Sequence, residues 1–178
     1  IALVHGANVE IASRSYNQVD ICNLESVKAY LSNKKKKMGH IDYVVNTAGL
    51  LIKKPIDRLS IEELTSLIGV NYTGAVNVAI AAKPYLLETS GMLMNFTSSS
   101  YTRGRAFYAV YSSTNAAIVN FTQALAEEWS NEGIRVTCIN PERTATPMRT
   151  ANFGIEPAGL LLSAQEVALD RKSTRLNS

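Results

Sequence analysis

Tyr111-Ser112-Ser113-Thr114-Asn115-Ala116-Ala117, with Ser98 thirteen residues before its tyrosine, sits between two short apolar runs. Met92 to Phe96 has the character of a buried parallel strand and delivers Ser98-Ser99-Ser100 to its carboxyl end. A long helix is predicted from about Tyr108 to Asn131, stopped by Gly133, and Ile134 to Ile139 supplies the next strand before Asn140-Pro141. Upstream, Ile41 to Asn46 is a run of the same type that ends in the polar turn Asn46-Thr47-Ala48-Gly49. Strands alternating with helices imply an open, doubly wound α/β sheet in three αβα layers.

The other segments extend this pattern. Ile1 to His5 reads as the last turn of a helix stopped at Gly6, and Val9 to Ala12 as a short strand. Asn23 can cap a helix over Leu24 to Lys35, with Leu24, Val27 and Leu31 on its apolar face. Ser60 and Glu63 form a capping box for a helix from Ile61 towards Ala82, ending near Pro84. Gly69 and Gly74 inside it point to close packing or a ligand-facing bend, because each costs about 1 kcal/mol against alanine in a helix. Ser163 and Glu166 make a second box, and the helix it starts breaks off after Leu169 into a polar run, 170–178. That run resembles read-through of a library adapter, so residues 1–169 are taken as the domain and 170–178 as a non-native tail.

At 178 residues, 46% apolar and 19% charged, the chain suits one α/β domain, and its formal charge of +3 is small. Lys34-Lys35-Lys36-Lys37 reads as the solvated end of a helix, favoured by the dipole, and no interleaving of aromatic and basic residues suggests a nucleic-acid groove. Cys22 and Cys138 have no spacing for metal or disulfide chemistry. No apolar run reaches the roughly 18 to 20 residues of a membrane span, and a reducing, cytoplasmic location is expected.

Ligands of open α/β sheets bind beyond the carboxyl ends of strands, where Asn46 to Gly49, Ser98 and Asn140-Pro141 all fall. Asn, Gly, Ser and Pro also favour plain turns, which is the competing reading. Taken together, these motifs in this order resemble the short-chain dehydrogenase/reductase family, with a Rossmann-like fold. The resemblance makes Tyr111 the catalytic acid/base, Ser98 the hydroxyl that orients the substrate oxygen, and Asn71 the support of a proton-relay water. It assigns cofactor contacts to Asn46, Ala48, Gly49, Pro141 and Thr146. Glu142 and Thr47 depart mildly from the family pattern, and Asn115 departs sharply, standing where the resemblance places a lysine.

That lysine has a physical task. Hydride attack on a carbonyl develops alkoxide charge, which needs one stabilising hydroxyl and one proton donor. A tyrosine titrating near 10 is poorly matched to neutral pH, and a neighbouring ammonium corrects this. Asn115 supplies no charge.

The resemblance implies a nicotinamide cofactor. Ser13 and Arg14 follow Val9 to Ala12 where the adenosine ribose would lie, and Arg14 beside a 2′-phosphate favours NADP over NAD, a solvated arginine being the alternative. The family's first strand and its glycine-rich phosphate turn are missing from the sequence, so a partial domain, truncated at both ends, is expected. Segments 98–105 and 139–149 look like the reductase-like domain attached to ribitol-5-phosphate cytidylyltransferases. This implies a small carbonyl or polyol substrate such as ribulose 5-phosphate, with Arg103, Arg105, Arg143 and Arg149 as candidate phosphate contacts. The resemblance also implies a homo-oligomer paired through the Asn71 and Tyr111 helices. Two rival readings are a noncatalytic interaction domain attached to a nucleotidyltransferase, and a nonfunctional translated fragment.

Overall fold

The computed structural model describes residues 6–169 and 174–176. Three parallel strands form the centre: β1 (Tyr43–Asn46), β2 (Met92–Phe96) and β3 (Arg135–Asn140), paired in that order. Helices fill the connections: α1 (Arg14–Asn17), α2 (Leu24–Met38), α3 (Ile61–Ile68), α4 (Gly74–Thr89), α5 (Ala109–Trp129), α6 (Pro147–Phe153) and α7 (Ala164–Ala168). The expected Rossmann-like parallel sheet with helical crossovers is present.

Alternation along the strands decides where the core lies. Val44, Leu93 and Val136 share a register row and face the core made by Val27 and Leu31 of α2, Val78, Ala82 and Leu86 of α4, and Leu125 and Trp129 of α5. The three long helices therefore cover one face. Tyr43 and Val45, on the opposite face, are exposed, so the second helical layer of the expected three is not seen against them among the described residues.

Both capping boxes form in full, at Ser60–Glu63 and Ser163–Glu166. Asn23 caps α2 by accepting from Glu25 and Ser26. The lysine run does end that helix, but as part of ion pairs: Lys34 and Lys37 meet Glu10, and Lys35 meets Glu88. The two ammonium groups hold the Glu10 carboxyl down at about 2.

Three expected elements come out differently. Pro84 does not end its helix; α3 runs through a π turn (Gly69–Thr73) into α4, which carries Pro84 inside it and continues to Thr89. The rod Ile61–Thr89 is long and apolar enough to cross a membrane, yet buried Asn71 and Asn77 and its packing on β2 make it a core helix here. Val9 to Ala12 forms no ladder among the described residues; Asn17 Nδ2 donates to the Ile11 carbonyl at 2.6 Å, and Ile11 stays exposed. Ile1 to His5 lies outside the described residues. From the run read as a tail, Thr174–Leu176 forms β4, antiparallel on the outer edge of β3, where open N–H and C=O groups accept any extended partner.

Of the two glycines expected to pack closely, Gly74 does, whereas a Cβ at Gly69 would meet only Cys22 Sγ at an ordinary 3.5 Å. A Cβ at Gly74 would lie 2.8 Å from Ile21. Gly91 is tighter: its Cβ would fall 2.5 Å from the Asp42 carbonyl oxygen and 2.8 Å from Leu86. That carbonyl accepts from Met92 N–H at 2.8 Å, at the start of the β1–β2 ladder. Gly91→Ala is thus expected to cost about 2–3 kcal/mol by overpacking against backbone. A urea titration checks it, and an unchanged midpoint would refute the close approach.

Candidate active site

The carboxyl ends of β1, β2 and β3 open into a cleft of about 670 Å³. Its lining brings together most of the residues singled out in the sequence: Ala48 and Gly49 after β1, Ser98 after β2, Asn71 in the π turn, Tyr111 and Asn115 on α5, and Pro141 and Thr146 after β3. Strand ends supply the turns, and the crossover helices carry the rest inward.

Ser98 caps a short 3-10 turn (Ser99–Thr102), its Oγ accepting from Ser100 N–H at 3.3 Å, which leaves the hydroxyl proton free to donate. Burial pushes the Tyr111 phenol above its ordinary range; the hydroxyl of Ser98 and the amide of Asn115 pull it down without overcoming that effect. Among the described residues, no cation is one of the groups acting on it.

Asn115 is 7% exposed and tied at both ends of its amide. Its Nδ2 donates to the Tyr111 carbonyl at 2.8 Å, and its Oδ1 accepts from the Thr97 hydroxyl at 3.1 Å. An amide fastened this way is a structural tie within the helix and to the end of β2. It offers Tyr111 no positive charge.

Asn71 is clamped to the turn after Gly49: Oδ1 accepts from Leu50 N–H at 2.7 Å, and Nδ2 donates to Leu50 C=O at 2.9 Å and to Thr114 Oγ at 3.3 Å. With both ends of its side chain committed, any relay water on Asn71 must use the main chain, in a π turn of the kind often found at functional sites. Asn46 does not line the cleft; its amide bridges to Asn95 at 3.3 Å and accepts from Ala48 N–H, shaping the turn from behind. Thr146 caps α6 by accepting from Arg149 N–H, and its hydroxyl proton remains available.

Arg105, Arg143 and Arg149 line the cleft, whereas Ser13, Arg14 and Arg103 do not. Ser13 caps α1 and Arg14 closes on Asp20 at 2.7 Å, because Asp20 is the nearest carboxylate to its guanidinium in the turn that follows. Several cleft residues went unread in the sequence. Tyr108 meets both Tyr111 and Phe153 edge-on, Thr97 and Thr114 bond to the α5 backbone, and Glu156 pairs with Arg149. Tyr108 and Thr114 stand three residues either side of Tyr111, a helical spacing that could have flagged them. Glu156 had no such signal, since only the turn at Gly154 brings it back onto α6.

A short chain dehydrogenase family model matches residues 6–154. The chain belongs to the short-chain dehydrogenase family. It is 51% identical over 168 residues to a bifunctional ribulose 5-phosphate reductase/CDP-ribitol pyrophosphorylase of Haemophilus influenzae, covering 94% of this chain and 35% of that protein. It is 40% identical over 132 residues to an uncharacterized oxidoreductase of Staphylococcus epidermidis, covering 73% and 56%. The chain thus spans well under two thirds of either relative. Among solved family structures, a 3-ketoacyl-(acyl-carrier-protein) reductase from Brucella melitensis complexed with NADH superimposes with a TM-score of 0.79 at 27% identity, over 86% of this chain and 67% of that one. A putative dehydrogenase from Burkholderia cenocepacia with bound NADP gives 0.74, also at 27% identity, over 89% and 56%.

Proposed function

We propose that this chain is the reductase domain of an NADPH-dependent carbonyl reductase acting in the cytoplasm on a small phosphorylated ketose such as ribulose 5-phosphate, with its chemistry slowed by Asn115. The observation that carries this reading is the meeting of Ser98 and Tyr111 in one cleft that also holds Arg105, Arg143 and Arg149. A donor pair for a forming alkoxide and cations for a phosphate lie in the same pocket. The relative with a ribulose 5-phosphate reductase name, of which this chain covers 35%, supports the substrate class, and the family structures with NADP and NADH support the cofactor.

The residues present fit the nicotinamide end of such a cofactor. Asn140 Oδ1 is buried without a partner among the described residues, beside Pro141, and Thr146 keeps a free hydroxyl proton. Ala48, Gly49, Pro141 and Thr146 would hold the cofactor, which supplies the hydride. Ser98 would polarise the substrate oxygen and Tyr111 would donate the proton to it. Pairing of copies would use the outward side of the rod and α5, around Tyr72, Phe121 and Ala124. Ile118 and Leu125 are buried in this chain and cannot contribute.

A second reading, a noncatalytic cofactor-binding domain, is favoured by the uncharged Asn115 amide, tied to the Tyr111 carbonyl and the Thr97 hydroxyl. One experiment separates them: NADPH fluorescence titration of the polypeptide that carries this chain, followed by its ribulose 5-phosphate-dependent NADPH oxidation. Binding with slow formation of ribitol 5-phosphate is expected. Binding without product selects the second reading, and no binding removes both.

A further inference from the structure

The cleft contains an anion of its own. Glu156 grips the Arg149 guanidinium in a two-point fork, Oε2 to Nε at 2.6 Å and Oε1 to Nη2 at 2.8 Å, and each side chain is only 19% exposed. Arg149 lies 4.7 Å from the Phe153 ring centre, and the Lys53 ammonium lies 4.6 Å from the same centre. Phe153 in turn touches Tyr108, and Tyr108 touches Tyr111. The cation that Glu156 occupies is therefore joined by direct ring contacts to the candidate proton donor. Arg143 adds a second positive charge near the same carboxylate, and both arginines keep the Glu156 carboxyl below its ordinary range.

Resting on the proposed reduction of a phosphorylated ketose, we infer that Glu156 is an exchangeable latch: it holds Arg149 until the substrate phosphate takes its place. Three features make the exchange selective. A guanidinium fork accepts carboxylate and phosphate in the same bidentate geometry, so the pocket needs no rebuilding. A phosphate monoester carries roughly −1.5 to −2 charges against one for the carboxylate, so it gains more from Arg149 and Arg143 together. A tethered carboxylate competes at high effective concentration, which excludes neutral polyols and weak anions from the cation. The chain can release Glu156, because it follows Gly154 at φ +75° and Ile155, which is 96% exposed, and stands before Pro157 outside any helix.

In a purely structural role, Glu156 would only staple α6 to the segment after it. Calorimetric titration of the NADP-loaded protein with inorganic phosphate, and separately with ribulose 5-phosphate, distinguishes that role from the latch. With the latch, Glu156→Gln tightens phosphate binding on the order of tenfold, since an ion pair no longer has to open. Glu156→Asp, which keeps the charge, falls closer to the native protein, and Arg149→Gln weakens binding at least tenfold in either background. If Glu156→Gln leaves phosphate affinity unchanged or lowers it, while Arg149→Gln still weakens ribulose 5-phosphate, the latch is overturned and the substrate reading stands. If inorganic phosphate shows the tightening but ribulose 5-phosphate does not bind, the latch stands and the ketose reading fails. Should Glu156→Gln prove unstable, the native protein decides: phosphate saturation must return the Glu156 carboxyl towards the ordinary carboxylate range in a carbon NMR titration, and an unmoved signal overturns the latch.

Discussion

Asn115→Lys is expected to raise ribulose 5-phosphate reduction by about three orders of magnitude at neutral pH. Burial already holds the Tyr111 phenol above its ordinary range, and among the described residues no cation acts directly on the phenolate that proton donation leaves. An ammonium roughly 4 Å away contributes about 4 kcal/mol at the effective dielectric of a partly exposed site, close to three pKa units or a thousandfold in rate. The amide can be removed without leaving a broken network. The Tyr111 carbonyl also accepts from Thr114 Oγ, and the Thr97 hydroxyl also donates to the Asn115 main-chain carbonyl. Asn115→Met is the control for bulk without charge and is expected to stay slow. The sign with pH follows from the same physics. Because the cation lowers the phenol pKa, the rate of the reverse, alcohol-oxidising reaction rises at lower pH in the lysine variant than in the native protein. Equal gains from lysine and methionine would sink the electrostatic account.

How much of this could be read in the sequence depended on whether the governing interaction was local. Capping at Ser60–Glu63 and Ser163–Glu166, the apolar runs at β2 and β3, and the positions of Ser98 and Tyr111 all depend on neighbours within a few residues, and all were legible. Pro84 was read as a stop because its missing N–H forbids one helical bond. In the folded chain the burial of Ala82 and Leu86 on either side of it outweighs that single loss. Val9 to Ala12 differs for the opposite reason: a strand needs a partner, and among the described residues β1 pairs only with β2 while Asn17 claims the Ile11 carbonyl. Arg14 and Arg149 stand in the sequence as candidate phosphate contacts, and sequence does not show which carboxylate folds back onto a guanidinium. Position 115 is the reverse case: the family resemblance sets a lysine's charge there, and the fold shows only how the asparagine amide is held.

Asn71→Ala is expected to destabilise the chain by about 3 kcal/mol and to weaken cofactor binding with it. The amide closes a ring of bonds with Leu50, giving and accepting one each at 2.9 and 2.7 Å, and reaches Thr114 on α5. Truncation leaves the Leu50 N–H and C=O without these partners, and each such loss costs roughly 1–3 kcal/mol when water cannot replace the bond. Because Leu50 follows Ala48 and Gly49, the same loss frees the turn that forms one wall of the cleft. Asn71→Asp separates the two bonds. It keeps the acceptor for Leu50 N–H but loses the donor and sets a carboxylate against the Leu50 carbonyl in a site that is 8% exposed, so it should be at least as damaging near neutral pH and partly relieved in acid. Its burial and the facing carbonyl raise the carboxyl pKa in the folded state above the unfolded value, so the protonated form recovers a donor as pH falls through that raised value. Urea denaturation across pH measures both variants. An Asn71→Asp protein whose stability falls steadily with acid, as for a well-paired carboxylate, would show that the clamp is not what holds the turn.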